Sequence, residues 1–176
     1  MHILVTGISG LLAPYIVKNI PKEHNIYTCS RSAGTYKLDL TKLNLVKDCL
    51  NKIKPSIIVH CAAYTDVEKA EKYPEIAYEN NYLATKNLVT NIRDDCHFIY
   101  ISTDQVYGKS YDLHKEGEEN PVNIYGKSKW LGALEVKKHY NHTILHTNMF
   151  GPSINEKNSF SDIIINIIKK REGLSL

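Results

Sequence analysis

Tyr125 and Lys129 are the two residues whose types and spacing could carry out proton transfer. They stand four positions apart in the segment Tyr125-Gly126-Lys127-Ser128-Lys129, and residues at that spacing share one face of a helix. A lysine ammonium beside a phenol favours the phenolate and lowers its pKa. The pair therefore predicts that Tyr125 gives and takes a proton near neutral pH. Taken alone, the same pattern fits a solvated helix better, so other segments have to decide.

The composition indicates one cytoplasmic domain with no nucleic-acid or membrane partner. The chain has 176 residues, 43% of them hydrophobic, which suits a single domain with its own core. Its net charge of +3 is small and spread out, so nucleic-acid binding has little electrostatic support. No stretch approaches the length of a membrane span. The eight histidines form no ligand pattern with the cysteines, which predicts no metal site, and scattered cysteines predict reduced thiols (Cys29, Cys49, Cys61 and Cys96).

A glycine-rich loop directly follows the first predicted strand. Residues 1–6 have the apolar run of a buried parallel strand, and residues 7–13 (GISGLLA) have the pattern G-x-x-G-x-x-A before a helix over 11–20. Gly7 and Gly10 let the backbone turn tightly and approach a ligand. A helix N-terminus also offers free N–H groups to a phosphate. The alternative is an ordinary strand-to-helix turn, but the position after a first strand favours phosphate binding.

The end of the second predicted strand bears on the choice between NAD(H) and NADP(H). In a site for NAD(H), a carboxylate about 20 residues beyond the glycine loop binds the ribose hydroxyls. After the strand over 25–29, this chain instead has Ser30-Arg31-Ser32. An arginine flanked by hydroxyls suits a 2′-phosphate. Arg31 therefore favours NADP(H), while NAD(H) and a solvated loop arginine stay open.

Strands and helices alternate along the rest of the chain. Apolar runs predict strands over 57–60, 97–101 and 143–146. Helical periodicity predicts helices over 42–54 with Thr41 as the N-cap, 66–73, 74–92, 125–139 and 159–170. This alternation requires right-handed βαβ units. We therefore predict an α/β fold, a Rossmann-type doubly wound parallel sheet forming one NAD(P)-binding domain over residues 1–176.

The predicted helix over 74–92 has an unusual inward face. Its apolar residues at helical spacing are Ile76, Leu83, Leu88 and Ile92. Asn80 and Asn81 interrupt that face, and an inward asparagine needs a hydrogen-bond partner. The partner is either a backbone carbonyl or a loop that shapes the site.

Several segments, taken in order, resemble one known family. They are the glycine loop, 61–65 (CAAYT) with 69–71 (KAE), 77–81 (AYENN), 102–104 (STD) and 125–129 (YGKSK). Together they resemble the extended short-chain dehydrogenase/reductases, most closely the dTDP-4-dehydrorhamnose reductase group. The resemblance covers nearly the whole chain. It implies NAD(P)H-dependent reduction of the C4 keto group of a nucleotide-linked 4-keto-6-deoxy sugar, as in dTDP-rhamnose biosynthesis.

The resemblance also implies roles for individual residues. Tyr125 would protonate the sugar C4 oxygen, and Lys129 would bind the nicotinamide ribose. Thr103 would hydrogen-bond the keto oxygen, with Asp104 supporting the substrate side. The substrate-binding set would be Thr103, Asp104, Asn148 and Met149. Together with Arg31, which the residue pattern at the second strand indicates, the cofactor-binding set would be Gly7, Ser9, Gly10, Leu11, Leu12, Arg31, Asp39, Leu40, Cys61, Ala62, Ala63, Tyr64, Tyr125 and Lys129.

Three departures from the family pattern matter. His146 stands where many relatives have arginine, which bears on a substrate contact. Gln105 stands where related sugar-nucleotide 4,6-dehydratases have a catalytic glutamate, which argues against dehydration. Relatives also continue past the point that matches Leu176 into a substrate-binding part. We therefore expect a chain that is truncated relative to the family and lacks most of that small domain.

Two alternatives to a reductase stay open. One is a non-catalytic NADP-binding regulatory subunit of the methionine adenosyltransferase beta type, which shares the fold and the resemblance. The other is a nucleotide-sugar epimerase or dehydratase. The amphipathic helix over 159–170 is expected to expose an apolar stripe. That stripe predicts a homodimer or a protein partner over the last helix.

Overall fold

The sheet of this protein has six parallel strands with helices on both faces. The computed structural model describes residues 1–109, 113–155 and 159–169. The strands are β1 (His2–Thr6), β2 (Asn25–Ser30), β3 (Tyr36–Lys37), β4 (Ile57–His60), β5 (His97–Thr103) and β6 (His142–Thr147). The helices are α1 (Leu12–Asn19), α2 (Leu43–Ile53), α3 (Val67–Lys72), α4 (Pro74–Ala77), α5 (Ala84–Val89), α6 (Ile124–Val136) and α7 (Phe160–Lys169), and a π-helical turn (Tyr78–Leu83) joins α4 to α5.

The strand order is β3-β2-β1-β4-β5-β6, with every neighbouring pair parallel. This order confirms the predicted doubly wound Rossmann-type sheet. The order reverses between β1 and β4, because the chain first builds outward to β3 and then crosses to the other side. Thr6 is therefore flanked by Cys29 on β2 and His60 on β4. Ligands of open α/β sheets bind in the crevice at this switch point.

Two apolar layers, one on each face, hold the helices against the sheet. The larger cluster joins β1, β4 and β5 to α2, α5 and α6, and it includes the fully buried Leu4, Ile58 and Phe98. The smaller cluster packs Val5 of β1 against α1, including Ala13. The middle strands are apolar on both faces, as expected for a parallel sheet covered on both sides.

The start of α2 differs from the sequence prediction. Thr41 is not the N-cap, because its N–H and its hydroxyl both donate to the Asp39 carboxylate, at 3.0 and 2.8 Å. The N-cap residue is Lys42, which makes no side-chain capping bond. The short strand β3 was also missed, since two residues give no periodicity. Strand β5 runs through Thr103, so it carries the hydroxyl residues to its carboxyl end.

The predicted inward face of the helix over 74–92 is wrong at Leu83, which is 36% exposed. The six-residue π-helical turn is the physical reason. Its wider turn shifts the side chains that follow around the helix axis. Asn81 is fully buried as a result, while Leu83 faces solvent. The turn therefore directs a polar side chain into the interior, which an apolar periodicity cannot predict.

The last helix, α7, exposes the predicted apolar stripe. None of its residues is buried, and Phe160 and Ile168 are 75% and 62% exposed. The prediction that this helix ends at residue 170 lies outside the described residues. Across the described part of the chain, no helix is both long enough and apolar enough to span a bilayer.

Candidate active site

One cavity of about 670 Å³ opens at the carboxyl ends of the strands. Its volume is in the range of small-molecule and cofactor sites. Of the residues predicted from the sequence, it is lined by Gly7, Ser9, Gly10, Leu11, Leu12, Arg31, Asp39, Leu40, Cys61, Ala62, Ala63, Thr103, Tyr125, Lys129, Asn148 and Met149. Tyr64 and Asp104 are not among its lining residues. The structure thus brings together segments that are distant in the sequence.

Tyr64 and Asp104 contact residues of the cavity lining without lining it themselves. The Tyr64 ring packs with Ala70, Ala77 and Tyr125 in a small apolar cluster. The Asp104 carboxylate accepts a hydrogen bond from the Thr103 hydroxyl at 3.1 Å, and the Asn148 amide reaches it at 3.5 Å. Both residues therefore contact the lining instead of forming it.

The glycine loop closes one end of the cavity. Gly7 has a φ of +76°, and a Cβ there would lie 2.7 Å from the Ala62 backbone nitrogen. Glycine is required at this position both for the left-handed backbone and for the close approach of Cys61 and Ala62, which follow β4. The loop is further fixed by the Gly10 N–H, which donates to the Gly7 carbonyl at 2.8 Å. The N-terminus of α1 follows directly, with Ala13 fully buried against the sheet.

Arg31 and Asp39 lie together at the outer end of the cavity. Arg31 is exposed, and the Ser30 hydroxyl beside it accepts the N–H groups of Ser32 and Ala33. Burial alone would raise the pKa of Asp39. Hydrogen bonds from Thr41, with the charges of Lys42 and Arg31, hold that pKa below its usual value. At this end of the cavity, the exposed Arg31 therefore lies near the ionised Asp39 carboxylate, which accepts two hydrogen bonds from Thr41.

Helix α6 delivers Tyr125 to the other end of the cavity. Asn123 caps the helix, its side-chain oxygen accepting the Gly126 N–H at 2.7 Å. The Asn123 amide also donates to the Gln105 side chain at 2.9 Å. A Cβ at Gly126 would lie only 2.2 Å from the Gln105 carbonyl oxygen. The glycine beside Tyr125 therefore lets α6 pack directly on the turn after β5, which brings the phenol to Thr103.

The predicted lowering of the Tyr125 pKa is wrong. Tyr125 is 9% exposed, and burial raises the pKa of its hydroxyl because the phenolate loses solvation. The Thr103 hydroxyl acts against this rise, and the Asp104 charge adds to it. Tyr125 therefore carries its proton at neutral pH. A protonated phenol held next to Thr103 is arranged as a proton donor.

Lys129 is a buried lysine whose amine has a single hydrogen-bond acceptor among the described residues. Its side chain is almost fully buried, and its amine donates to the Ile101 carbonyl oxygen at 2.7 Å. The amine also lies 4.1 Å from the centre of the Tyr100 ring. Burial lowers the pKa of Lys129 to about 7, with the nearby Cys61 acting in the opposite direction. The Lys129 amine is thus bonded to the strand backbone, while burial, Thr103 and Asp104 determine the pKa of Tyr125.

This pKa predicts a specific dependence of stability on pH. Between about pH 7 and 10.5, the unfolded chain holds a proton on Lys129 that the folded chain has released, so stability rises with pH. We expect Lys129→Met to lose about 1 kcal/mol of that rise between about pH 7.5 and 8.5. Urea denaturation of both proteins across that range measures it. The range stops below pH 9, because raised cysteine pKa values act in the opposite direction above it. Equal pH slopes for the two proteins would contradict the assignment.

Asn81 joins the loop after β4 to α6. Its side-chain oxygen accepts the Tyr64 N–H at 2.7 Å, and its amide donates to the Tyr64 carbonyl and the Ser128 hydroxyl, both at 2.9 Å. Ser128 in turn donates to the Tyr125 carbonyl at 2.7 Å. Both predicted kinds of partner occur. Asn81 bonds backbone groups of the loop whose residues 61–63 line the cavity, and Asn80 donates to the backbone carbonyl of Ile76 at 2.8 Å.

His60 extends this network into the sheet in its neutral form. Burial is the main reason that its pKa falls to about 3, and the Lys129 charge adds to the effect. One ring nitrogen bonds the Thr6 hydroxyl at 2.7 Å, and the other bonds the Thr85 hydroxyl at 3.1 Å. Thr85 donates to the Asn81 carbonyl, so the Nε2 of His60 carries the proton. Both ring nitrogens of this histidine are therefore used in hydrogen bonds that link the strands to the helix.

His146 occupies the position where the family pattern has arginine. Its Nδ1 lies 3.3 Å from the Thr103 carbonyl oxygen, and its Nε2 lies 3.9 Å from the Glu119 carboxylate. The Tyr107 ring packs edge-on against it, with ring centres 5.5 Å apart. His146 therefore supports the strand that carries Thr103 and is not among the residues that line the cavity.

The cavity contains features that fit a dinucleotide. At Gly7 the glycine loop packs directly on the backbone of Cys61 and Ala62, with no side chain between them. The Ser102 hydroxyl is buried next to Thr103 and has no hydrogen-bond partner in the described ranges. Within those ranges, no group of three or more His, Cys, Asp or Glu is arranged to hold a metal ion. The donors at both ends suit phosphate and hydroxyl groups.

Fold and site together define the class of a Rossmann-type short-chain dehydrogenase/reductase. More narrowly, the chain belongs to the family described as the RmlD substrate binding domain, whose model matches residues 1–176. It is 31% identical over 147 residues to the probable low-salt glycan biosynthesis reductase Agl14 of Haloferax volcanii, covering 78% of this chain and 49% of that protein. It is 33% identical over 139 residues to the methionine adenosyltransferase 2 subunit beta of Xenopus tropicalis, covering 76% and 42%.

Among solved structures, the dTDP-4-dehydrorhamnose reductase of Bacillus anthracis in complex with NADP matches with a TM-score of 0.83. That match is 30% identical and covers 98% of this chain and 61% of that one. The chain thus spans about half the length of the two curated relatives above.

Proposed function

We propose that residues 1–176 form the NADP(H)-binding, catalytic domain of a reductase of the dTDP-4-dehydrorhamnose type. Its substrate would be a nucleotide-linked 4-keto-6-deoxy sugar, and its reaction the reduction of the C4 keto group in dTDP-rhamnose biosynthesis. One observation carries the proposal: a single cavity joins the glycine loop and Arg31 at one end to Thr103, Tyr125 and Lys129 at the other. We also place the protein in the cytoplasm, which the four free cysteines support.

Different lining residues would bind different parts of the cofactor. The glycine loop and the N-terminus of α1 would hold the pyrophosphate, and Arg31 the 2′-phosphate. Asp39 and Leu40 would flank the adenine. Residues 61–63 would lie along the ribose, with Lys129 donating to the hydroxyls of the nicotinamide ribose. Support from a relative comes from the Bacillus anthracis reductase, which was solved with NADP.

Tyr125 and Thr103 would act on the sugar. Bound NADPH supplies the hydride that adds to the C4 carbon. The protonated Tyr125 hydroxyl donates its proton to the C4 oxygen, which completes the alcohol. The Thr103 hydroxyl, now bonded to Asp104, turns to donate to the same oxygen and orients it. Asn148 and Met149, which follow β6 and line the cavity, would border the sugar.

Product analysis tests the proposal. The protein is incubated with NADPH and a dTDP-4-keto-6-deoxy sugar, and the nucleotide sugar is analysed by mass spectrometry. We expect a product heavier by the mass of two hydrogen atoms, formed in step with NADPH loss. An epimerase would return an isomer of unchanged mass and would consume no NADPH. Such an isomer, or an unchanged substrate beside protein that binds NADPH, would contradict the reductase.

Arg31 is expected to set the preference for NADPH. Replacing it by alanine in Arg31→Ala removes a charged donor, so we expect NADPH affinity to fall about ten- to a hundredfold. NADH lacks the 2′-phosphate, and its affinity should change little. Fluorescence titration with both nucleotides measures this. Arg93→Ala is the matched control, because Arg93 is exposed and paired with Asp95. Equal losses for NADPH and NADH would place Arg31 elsewhere in the site.

A second candidate is a non-catalytic cofactor-binding subunit. The exposed apolar stripe of α7, with Phe160, Ile163 and Ile168, favours it, since such a stripe suits a protein partner or a second copy. The similarity to a methionine adenosyltransferase beta subunit supports it as well. This candidate predicts NADPH binding without turnover, plus a stable complex. Light scattering that finds only a monomer, together with turnover of the keto sugar, would eliminate it.

A further inference from the structure

The segment Gly151–Asn155 lies across the glycine loop. The Asn155 side-chain amide donates to the Gly10 carbonyl at 2.9 Å and reaches the Ile8 carbonyl at 3.5 Å. The Tyr15 hydroxyl on α1 donates to the Pro152 carbonyl at 2.8 Å. These contacts join residues that are up to 147 positions apart in the chain. The segment that follows the sugar end of the cavity is therefore fastened to the phosphate end.

Asn155 is itself held from the other side by α7. Its backbone N–H donates to the Ser153 hydroxyl at 3.1 Å, and the Ser153 N–H donates to the Asp162 carboxylate at 2.9 Å. The Ser159 N–H and hydroxyl also donate to that carboxylate, each at 2.8 Å. The backbone bonds from Ser159 and Ser153 lower the pKa of Asp162, so it stays ionised. A charged anchor therefore fixes the backbone on which the Asn155 amide sits.

The Gly10 carbonyl that accepts the Asn155 hydrogen bond belongs to a peptide unit of the candidate phosphate site. A peptide unit is planar and trans, so its C=O and its N–H point in opposite directions. When Asn155 holds the Gly10 carbonyl, the N–H of Leu11 is turned the opposite way. Leu11 lines the cavity. The amide of a distant segment thereby fixes the direction of an N–H group at the start of α1.

We propose that Asn155 is a cofactor-positioning residue that orients the Gly10–Leu11 peptide toward the pyrophosphate of the bound dinucleotide. This inference rests on the proposed NADP(H) binding. If that peptide could rotate freely, part of the binding free energy would be lost in ordering it. Holding the peptide in place before the cofactor binds removes that entropic cost. The residue acts through the loop backbone, so only ligands with a pyrophosphate should sense its removal.

Two ligands separate this role from a general effect on folding. NADP⁺ has both a pyrophosphate and a 2′-phosphate, whereas adenosine 2′-monophosphate has only the latter. We expect Asn155→Ala to weaken NADP⁺ binding about three- to tenfold and to leave adenosine 2′-monophosphate within about twofold of the original affinity. Asn155→Asp, which adds a charge facing carbonyls, should weaken NADP⁺ further. Asn19→Ala is the matched control, since the Asn19 amide donates to Tyr15 within α1.

Calorimetric titration of each variant with both ligands gives the answer. Unchanged affinity of Asn155→Ala for NADP⁺ would overturn the proposal. Equal weakening of both ligands would also overturn it, because that pattern means general damage to the site. If the unmodified protein bound neither ligand, the proposed NADP(H) site would fail first, and with it this inference.

Discussion

Replacing Tyr125 by phenylalanine is expected to lower NADPH-dependent reduction of the keto sugar by about a hundredfold to ten-thousandfold, the usual contribution of a positioned proton donor. The Tyr125→Phe substitution removes the hydroxyl and keeps the ring. The ring packs in the cluster with Ala70 and Ala77, so the fold should survive. The loss should appear in kcat, since the hydroxyl acts on the reacting oxygen. Steady-state kinetics with NADPH and the dTDP-linked sugar measure it.

Two comparisons make this result interpretable. Tyr140→Phe is the matched control, because Tyr140 is 97% exposed and far from any packing role. Its activity should equal that of the original protein. NADPH affinity of Tyr125→Phe should change by less than about fivefold, because one neutral hydrogen bond is lost at most. A variant that kept more than about a tenth of its activity would show that another group donates the proton.

Replacing Asn81 by alanine is expected to cost about 3 kcal/mol of unfolding free energy. The Asn81→Ala substitution leaves the N–H and C=O of Tyr64 and the Ser128 hydroxyl short of partners inside the protein. Each buried polar group left unsatisfied costs about 1–3 kcal/mol. Denaturant unfolding measures the loss. Because Ser128 bonds the Tyr125 backbone, activity measured on the folded fraction should fall too.

The control for Asn81 comes from the same helical region. Asn91→Ala also removes an amide, one that donates to the Asn87 carbonyl in the last turn of that region and to Thr90. We expect it to cost less than about 1 kcal/mol. Similar losses for the two variants would mean that the Asn81 bridge contributes no more than an ordinary helix-end contact.

The strands and the glycine loop could be predicted because their signals are local. Ile57–His60 is a short apolar run before small residues, and residues 7–13 form a pattern that only a tight strand-to-helix turn requires. The family resemblance then placed Thr103, Tyr125 and Lys129 in one site. Their shared cavity follows from the topology, since the carboxyl ends of parallel strands meet at one edge of the sheet.

The features that escaped prediction depend on packing. The π-helical turn moves Leu83 outward and Asn81 inward, and nothing in the spacing of apolar residues indicates it. The Tyr125 pKa rises because the phenol is buried, and burial cannot be read from the four-residue spacing of Tyr125 and Lys129. The Asn155 contact with Gly10 joins residues 145 positions apart. Such contacts depend on the tertiary fold, so no local sequence pattern predicts them.

The most direct measurement of the central claim is a single-turnover experiment with the chain, stoichiometric NADPH and the dTDP-linked 4-keto-6-deoxy sugar. We predict that NADPH absorbance falls in one phase and that this phase is at least about a hundredfold slower in Tyr125→Phe, although that variant still binds NADPH. A loss of NADPH at the same rate in both proteins would contradict the account. So would full NADPH binding in the original protein with no absorbance change when the sugar is added.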